Sequence, residues 1–256
     1  MRILVTNDDG ILSPGIELLA AAARPFGEVT VIAPRRQCSA MSRHITLGPP
    51  MHLKEQTDFP IEGVKAWSYA ATPTDCVRSA LRGLYGADEE PELVLSGIND
   101  GANCGFDVMY SATVGAAMEA VSCRIPAICF SQARANMFES FLKYSEAEVE
   151  RVRAVLRDVL ENYMPENEGE VVNVNLPAVK AEEVKGTLYD RFPSQQALFR
   201  DRYIKTENPE GGFDVTIQAD FVPDAEEGSD IRAIFDGYVS VGRLKSEVVC
   251  RTLYRR

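Results

Sequence analysis

The residues best equipped for chemistry come first: Asn7-Asp8-Asp9-Gly10 places two adjacent carboxylates and a glycine directly after the apolar run 3–5. In an open α/β sheet, ligands bind beyond the carboxyl ends of the strands, so acids here stand where a site would form. Successive side chains of a strand point to opposite faces. Asp8 and Asp9 therefore converge only if the backbone turns, and Gly10 supplies that freedom. Standing alone, the same residues also read as a solvated Asp-Asp-Gly turn.

Three further clusters lie in loops after predicted strands. Residues 35–44, Arg-Arg-Gln-Cys-Ser-Ala-Met-Ser-Arg-His, gather three arginines, two serines and His44 in an otherwise acidic chain. They read either as a loop offering Ser39 to a metal and positive charge to an anion, or as a solvated basic turn. Residues 96–105 hold three glycines with Asn99 and Asn103, which lets backbone pass close to a ligand while amides donate and accept. Residues 111–117, beginning Ser-Ala-Thr-Val-Gly, open a predicted helix whose free N–H groups and positive dipole end suit a phosphate. Asp8, Asp9, Ser39 and Asn99 make an all-oxygen donor set. Such a set fits a hard divalent ion such as magnesium or manganese better than zinc or copper.

The elements that must position these clusters alternate in type. Strand candidates at 3–5, 29–33, 64–69, 93–95, 127–130 and 171–174 are separated by helical patterns, the signature of βαβ units around a mainly parallel sheet flanked by helices. Ser13-Pro14 opens a helix over 16–23, and Thr72-Pro73-Thr74-Asp75 is a variant capping box followed by Val77, Ala80, Leu81 and Leu84 at helical spacing. Ser111 caps a helix through Val114, Ala117, Met118 and Val121, with Gly115 and Ala116 permitting close packing or ligand approach. A longer charged helix is expected over 145–163. After Pro177 the texture changes to isolated strands at 184–189, 213–217 and 238–241 with polar connections. These either form a projecting hairpin or arm or complete the sheet edge. The expected division is a core over 1–180 and a β-rich extension over 181–256, within one domain overall.

Composition bounds the rest. A net charge of −11 argues against broad binding to nucleic acid or anionic lipid. No stretch approaches the ~20 apolar residues of a membrane span, and a soluble, unexported protein is expected. The six cysteines, Cys38, Cys76, Cys104, Cys123, Cys129 and Cys250, show no Cys-x-x-Cys spacing and read as reduced thiols in a cytoplasmic protein.

Taken together, the clusters resemble the survival protein SurE family, metal-dependent phosphatases that act on nucleoside monophosphates. The resemblance rests on residues 3–10, on Ser39-Ala40-Met41-Ser42, on Thr72-Pro73 with Asp75-Cys76-Val77, and on Ser96-Gly97-Ile98-Asn99 with Gly101, Asn103 and Gly105. It continues through residues 113–119, Asn173-Val174-Asn175 with Pro177, and Gly237-Tyr238-Val239-Ser240. It implies a Rossmann-like fold whose C-terminal extension exchanges between subunits of a homodimer or homotetramer. It also implies one magnesium or manganese ion per subunit, held by Asp8, Asp9, Ser39 and Asn99, with the phosphate at Asn103, Ser111 and Thr113. The implied activity is hydrolysis of nucleoside 5′-monophosphates, extending to 3′-monophosphates and short polyphosphate. Three departures stand out: Ala71 before Thr-Pro, Ala112 between Ser111 and Thr113, and Gly242-Arg243 where Thr-Pro is common. Ala112 puts a methyl group where the phosphate cradle would be narrowed.

The expected mechanism assigns catalysis to Asp8 and Asp9, with Asp8 assisting a water or attacking directly and Asp9 serving chiefly as a ligand. Two rivals predict different things. A nucleotide-sugar transferase needs a second comparable domain, which the short C-terminal region does not supply. A metal- or nucleotide-binding regulatory module would bind without turnover.

Overall fold

The computed structural model describes residues 1–84, 89–136, 139–165, 169–222 and 224–245. Cys250 and the rest of the C-terminal end of the predicted extension lie outside them. In chain order the first elements are β1 (Arg2–Thr6), α1 (Pro14–Ala23), β2 (Glu28–Pro34), β3 (Leu53–Glu55), β4 (Lys65–Tyr69), α2 (Pro73–Ser79), β5 (Leu93–Asp100) and α3 (Ala112–Ser122). There follow β6 (Ala127–Gln132), α4 (Glu146–Asn162), β7 (Glu170–Leu176), β8 (Thr187–Leu188), β9 (Phe199–Glu207), β10 (Phe213–Phe221), α5 (Asp230–Phe235) and β11 (Val239–Lys245).

One sheet runs in the order β3-β4-β2-β1-β5-β6-β7-β11-β8, and β9 pairs with β10 in a separate antiparallel hairpin. From β4 to β7 every pairing is parallel, while β3 and β11 join antiparallel to β4 and β7. The protein is thus α/β with a mainly parallel sheet flanked by helices, as the alternation of elements requires. Both faces of the sheet are covered, which is why its central strands β1, β5 and β6 carry apolar runs. In β1, Ile3 and Val5 join the core under α1 and α4, whereas Leu4 joins the opposite core under α2 and α3.

The helices begin where their caps are written. Ser13, Ser111, Ser145 and Ser229 each accept a hydrogen bond from the backbone N–H three residues on, and Thr72 with Asp75 completes a reciprocal capping box. The helix after Thr72 stops at Ser79 and does not run to Leu84. Residues 80–84 form an irregular wider turn in which Arg82 and Gly83 leave helical geometry, Gly83 with φ 125°.

The two readings of the region after Pro177 both occur, in different strands. β11 and β8 extend the main sheet, while β9 and β10 form an exposed hairpin. The expected strand over 184–189 shrinks to Thr187–Leu188, and β3, β9 and the short α5 had no distinct pattern in the sequence. Among the described residues no helix is long and apolar enough to cross a membrane.

Candidate active site

The order of strands puts a crevice where the sequence clusters predict one. β1 leads outward to β2 on one side and neighbours β5 on the other, so the chain reverses direction across the sheet between these two strands. Loops diverge at such a switch point, leaving a cleft beyond the carboxyl ends of the strands. Asn7–Gly10 leave β1 there, and Asn99 and Asp100 end β5 beside them.

Asn7 holds the first turn. Its side-chain amide donates to the Gly10 carbonyl at 3.0 Å and to Ser13 Oγ at 2.7 Å, and its oxygen accepts from the Gly10 N–H at 3.2 Å. Gly10, at φ 100°, takes the left-handed conformation that a side chain disfavours. The Asp8 carbonyl accepts from the Cys38 N–H at 2.7 Å, which fastens the basic loop to the end of β1.

A cavity of about 390 Å³ opens beyond these strand ends, and Asp8, Ser39, Asn99, Asn103 and Ser111 all line it. Asp9 and Thr113 stand just outside the lining but touch its members. Asp9 accepts from the Asp100 N–H at 2.9 Å and from the Gln37 amide at 3.3 Å, and Thr113 Oγ1 donates to Asp8 Oδ1. Ala112 is fully buried and absent from the lining, so its methyl group takes no space from the cavity.

The amides are aimed by their neighbours. Asn99 commits its N–H to the Gly101 carbonyl at 2.7 Å, which leaves its oxygen free to accept or to ligate. The Asn103 N–H donates to Asn175 Oδ1, its carbonyl accepts from the Asn173 and Asn175 amides, and its own amide donates to Ser131. Asn173 and Asn175 are alternate residues of β7 and share one face, which explains the Asn-Val-Asn motif as the support of the Asn103 loop. From the far side, Asp230 of α5 accepts from the Gly105 N–H at 2.9 Å. Ser111 Oγ accepts from the Val114 N–H at 3.1 Å, which leaves its own proton for the cavity that Ser111 lines.

Asp8 is 4% exposed, and burial pushes its carboxyl up from the ordinary 3.8 to about 7, helped by the neighbouring charge of Asp9. Burial also raises Asp9. Among the described residues no arginine or lysine is ion-paired to Asp8, and no three His, Cys, Asp or Glu side chains converge as a metal cluster. The two acids, Asp8 buried and Asp9 half-buried, are therefore an adjacent carboxyl pair whose further donors at the cavity are a hydroxyl and an amide oxygen. That donor chemistry fits a hard divalent cation, which would supply the missing positive charge.

Four cavity residues had no signal in the sequence: Tyr110, Asp107, Arg134 and Phe199. Arg134 forks onto Asp100 at 3.1 and 2.9 Å, and Phe199 arrives from the hairpin, 100 residues after Asn99 in number. Motif reading finds residues clustered in sequence, and these are brought in singly.

Comparison with known proteins agrees with this geometry. The family model described as Survival protein SurE matches residues 3–197. A protein from Pelobacter propionicus named 5′-nucleotidase SurE is 40% identical over 94% of this chain and 92% of its own length. One of the same name from Gemmatimonas aurantiaca is 38% identical over 98% and 95%, and 5′-nucleotidase SurE 1 of Thermus thermophilus is 39% identical over 94% and 90%. The crystal structure of the SurE protein from Aquifex aeolicus superposes with a TM-score of 0.79 at 33% identity, covering 99% of this chain and 96% of that one. A family match over most of the chain, on the motifs that build the cavity, makes this protein a member of the Survival protein SurE family.

Proposed function

We propose that this chain is a metal-dependent 5′-nucleotidase that hydrolyses nucleoside 5′-monophosphates to nucleoside and phosphate, with 3′-monophosphates and short polyphosphate as further substrates. The observation that carries the reading is Asp8: a buried carboxylate with no ion-paired base among the described residues, beside Asp9 and hydrogen-bonded to Thr113 at the N-terminus of α3. The names of the relatives point the same way.

Asp8, Asp9, Ser39 and Asn99 would hold one divalent ion per subunit, magnesium or manganese. Bound there, it supplies Lewis-acid polarisation of a phosphoryl oxygen and offsets charge developing in the transition state. Asn103, the Ser111 hydroxyl and the first backbone N–H groups of α3, that of Thr113 among them, would receive the phosphate oxygens and fix the phosphorus against Asp8, which the Thr113 hydroxyl orients. With that ion in place Asp8 would stand as the carboxylate, oriented by the Thr113 hydroxyl, to assist a water or attack the phosphorus directly. Tyr110, 65% exposed, and Phe199 offer aromatic faces on the same cavity to the nucleobase.

The hairpin supports a homodimer or homotetramer. Tyr203, Phe213, Val215 and Ile217 leave large apolar side chains on a two-stranded ribbon, which a second copy would cover. The extension over 181–256 would then be the oligomerisation arm of a core over 1–180. Of the described cysteines, Cys38, Cys76, Cys104 and Cys129 are buried and all are unpaired, which suits a cytoplasmic protein, and the net charge of −11 disfavours membrane or nucleic-acid partners.

The test is phosphate release from adenosine monophosphate with and without manganese or magnesium, by wild type and Asp8→Asn. Release that needs the ion and falls by orders of magnitude in Asp8→Asn is expected. Full activity in the variant, or tight nucleotide binding without release by the wild type, would overturn the reading, the latter in favour of a regulatory module.

A further inference from the structure

Glu119 lies on α3 two turns from the phosphate end, only 3% of its side chain is exposed, and three arginines surround it. Each carboxylate oxygen has a different principal partner. Arg43 donates through Nε at 3.1 Å and Nη2 at 2.7 Å to Oε2, while Arg78 donates through Nη1 at 2.7 Å to Oε1, with Arg82 farther off at 3.9 Å. Arg43 also donates to Ser122 Oγ at 2.8 Å.

The two arginines hold different things. Arg78 belongs to α2 and joins two neighbouring helices. Arg43 belongs to the loop that carries Ser39, and that loop is under local backbone strain: Ala40 and Ser42 take φ 56° and 51° without being glycine. Such conformations persist only where the surroundings over-determine them. Here Ser42 is held through its N–H to the Tyr110 carbonyl at 2.9 Å and its hydroxyl to the Met109 carbonyl at 2.9 Å. Its own carbonyl lies so close to α3 that a Cβ on Gly115 would sit 2.4 Å from the oxygen. Arg43 completes the attachment.

The geometry points to Glu119 and Arg43 as positioning residues that lock the Ser39 loop onto the helix bearing Ser111 and Thr113. The metal side and the phosphate side of the cavity thereby become one rigid unit. This rests on the metal assignment made above. An outer partner of this kind sets ligand geometry without touching the ion, and its loss typically weakens metal binding by about 10–100-fold.

The experiment compares metal-free wild type, Arg43→Gln, Arg43→Lys and Arg78→Gln in the full chain. The readouts are manganese affinity by titration calorimetry, amide exchange of residues 38–44, kcat and KM for adenosine monophosphate, and Tm. Arg43→Gln is expected to weaken manganese binding about tenfold or more and to speed exchange in the loop. Arg43→Lys, which keeps the charge without the fork, should recover part of both. Arg78→Gln should lower Tm yet leave manganese affinity within about twofold. Arg43 is 38% exposed on its side chain and Arg78 remains on Glu119 after its replacement, so the variant keeps its fold. Manganese binding by Arg43→Gln equal to that of wild type overturns the positioning role alone, as does an equal loss in Arg78→Gln. A wild type that binds no manganese overturns the metal assignment together with this one.

Discussion

Replacing Asp8 by asparagine should make the metal-free protein more stable at neutral pH while abolishing its activity, and the size of the gain follows from the burial of this carboxyl. Its pKa rises from 3.8 in the unfolded chain to about 7 in the folded one, so the folded state binds the proton more tightly. Stability from this group is then fully present below pH ~4 and is lost as pH rises through about 7. Three units at about 1.4 kcal/mol each come to about 4 kcal/mol over the whole window, of which about 3 kcal/mol falls between pH 5 and pH 8. Asparagine carries no such charge, and its side-chain oxygen still accepts from Thr113. In the presence of a chelator, thermal unfolding should show the advantage of Asp8→Asn growing by roughly 6–12 °C from pH 5 to pH 8, at about 2–4 °C per kcal/mol for a chain of this size. Manganese at a hundredfold excess over its Kd should restore about 2.7 kcal/mol to wild type and nothing to the variant. A difference in Tm that does not change with pH would show that Asp8 is not held against its charge, and the reasoning would fail.

Two other perturbations address the scaffold. Gly115→Ala raises helix propensity, yet its Cβ would meet the Ser42 carbonyl at 2.4 Å, so thermal unfolding should show a net loss of about 1–3 kcal/mol; a higher Tm would mean that the loop does not press on α3. Ile217→Asp on the exposed hairpin should shift the protein towards monomer in light scattering at micromolar concentration, with the monomer's far-ultraviolet dichroism unchanged. An oligomer that survives the charge would place the subunit contact elsewhere.

Much of this protein is local in origin and so was legible in its sequence. The caps at Ser13, Thr72, Ser111 and Ser145 determine where helices begin because each satisfies a backbone N–H three residues away. The apolar runs of β1, β5 and β6 announce a sheet covered on both faces, and the acids after β1 stand at the edge where such sheets bind ligands. Tertiary structure alone decided what is assembled from distant residues. Arg43 and Glu119 are 76 positions apart, Asn103 and Asn175 are 72 apart, and Phe199 reaches the cavity from β9, whose residues show no regular apolar alternation. Short elements such as β3 and α5 hold too few residues for a period to register, and their neighbours determine them. Sequence thus specified which groups could do chemistry and the local turns that present them. Only the packed fold, by removing Asp8 from water and placing Ser39, Asn99 and Ser111 around one cavity, decided the electrostatics on which that chemistry depends.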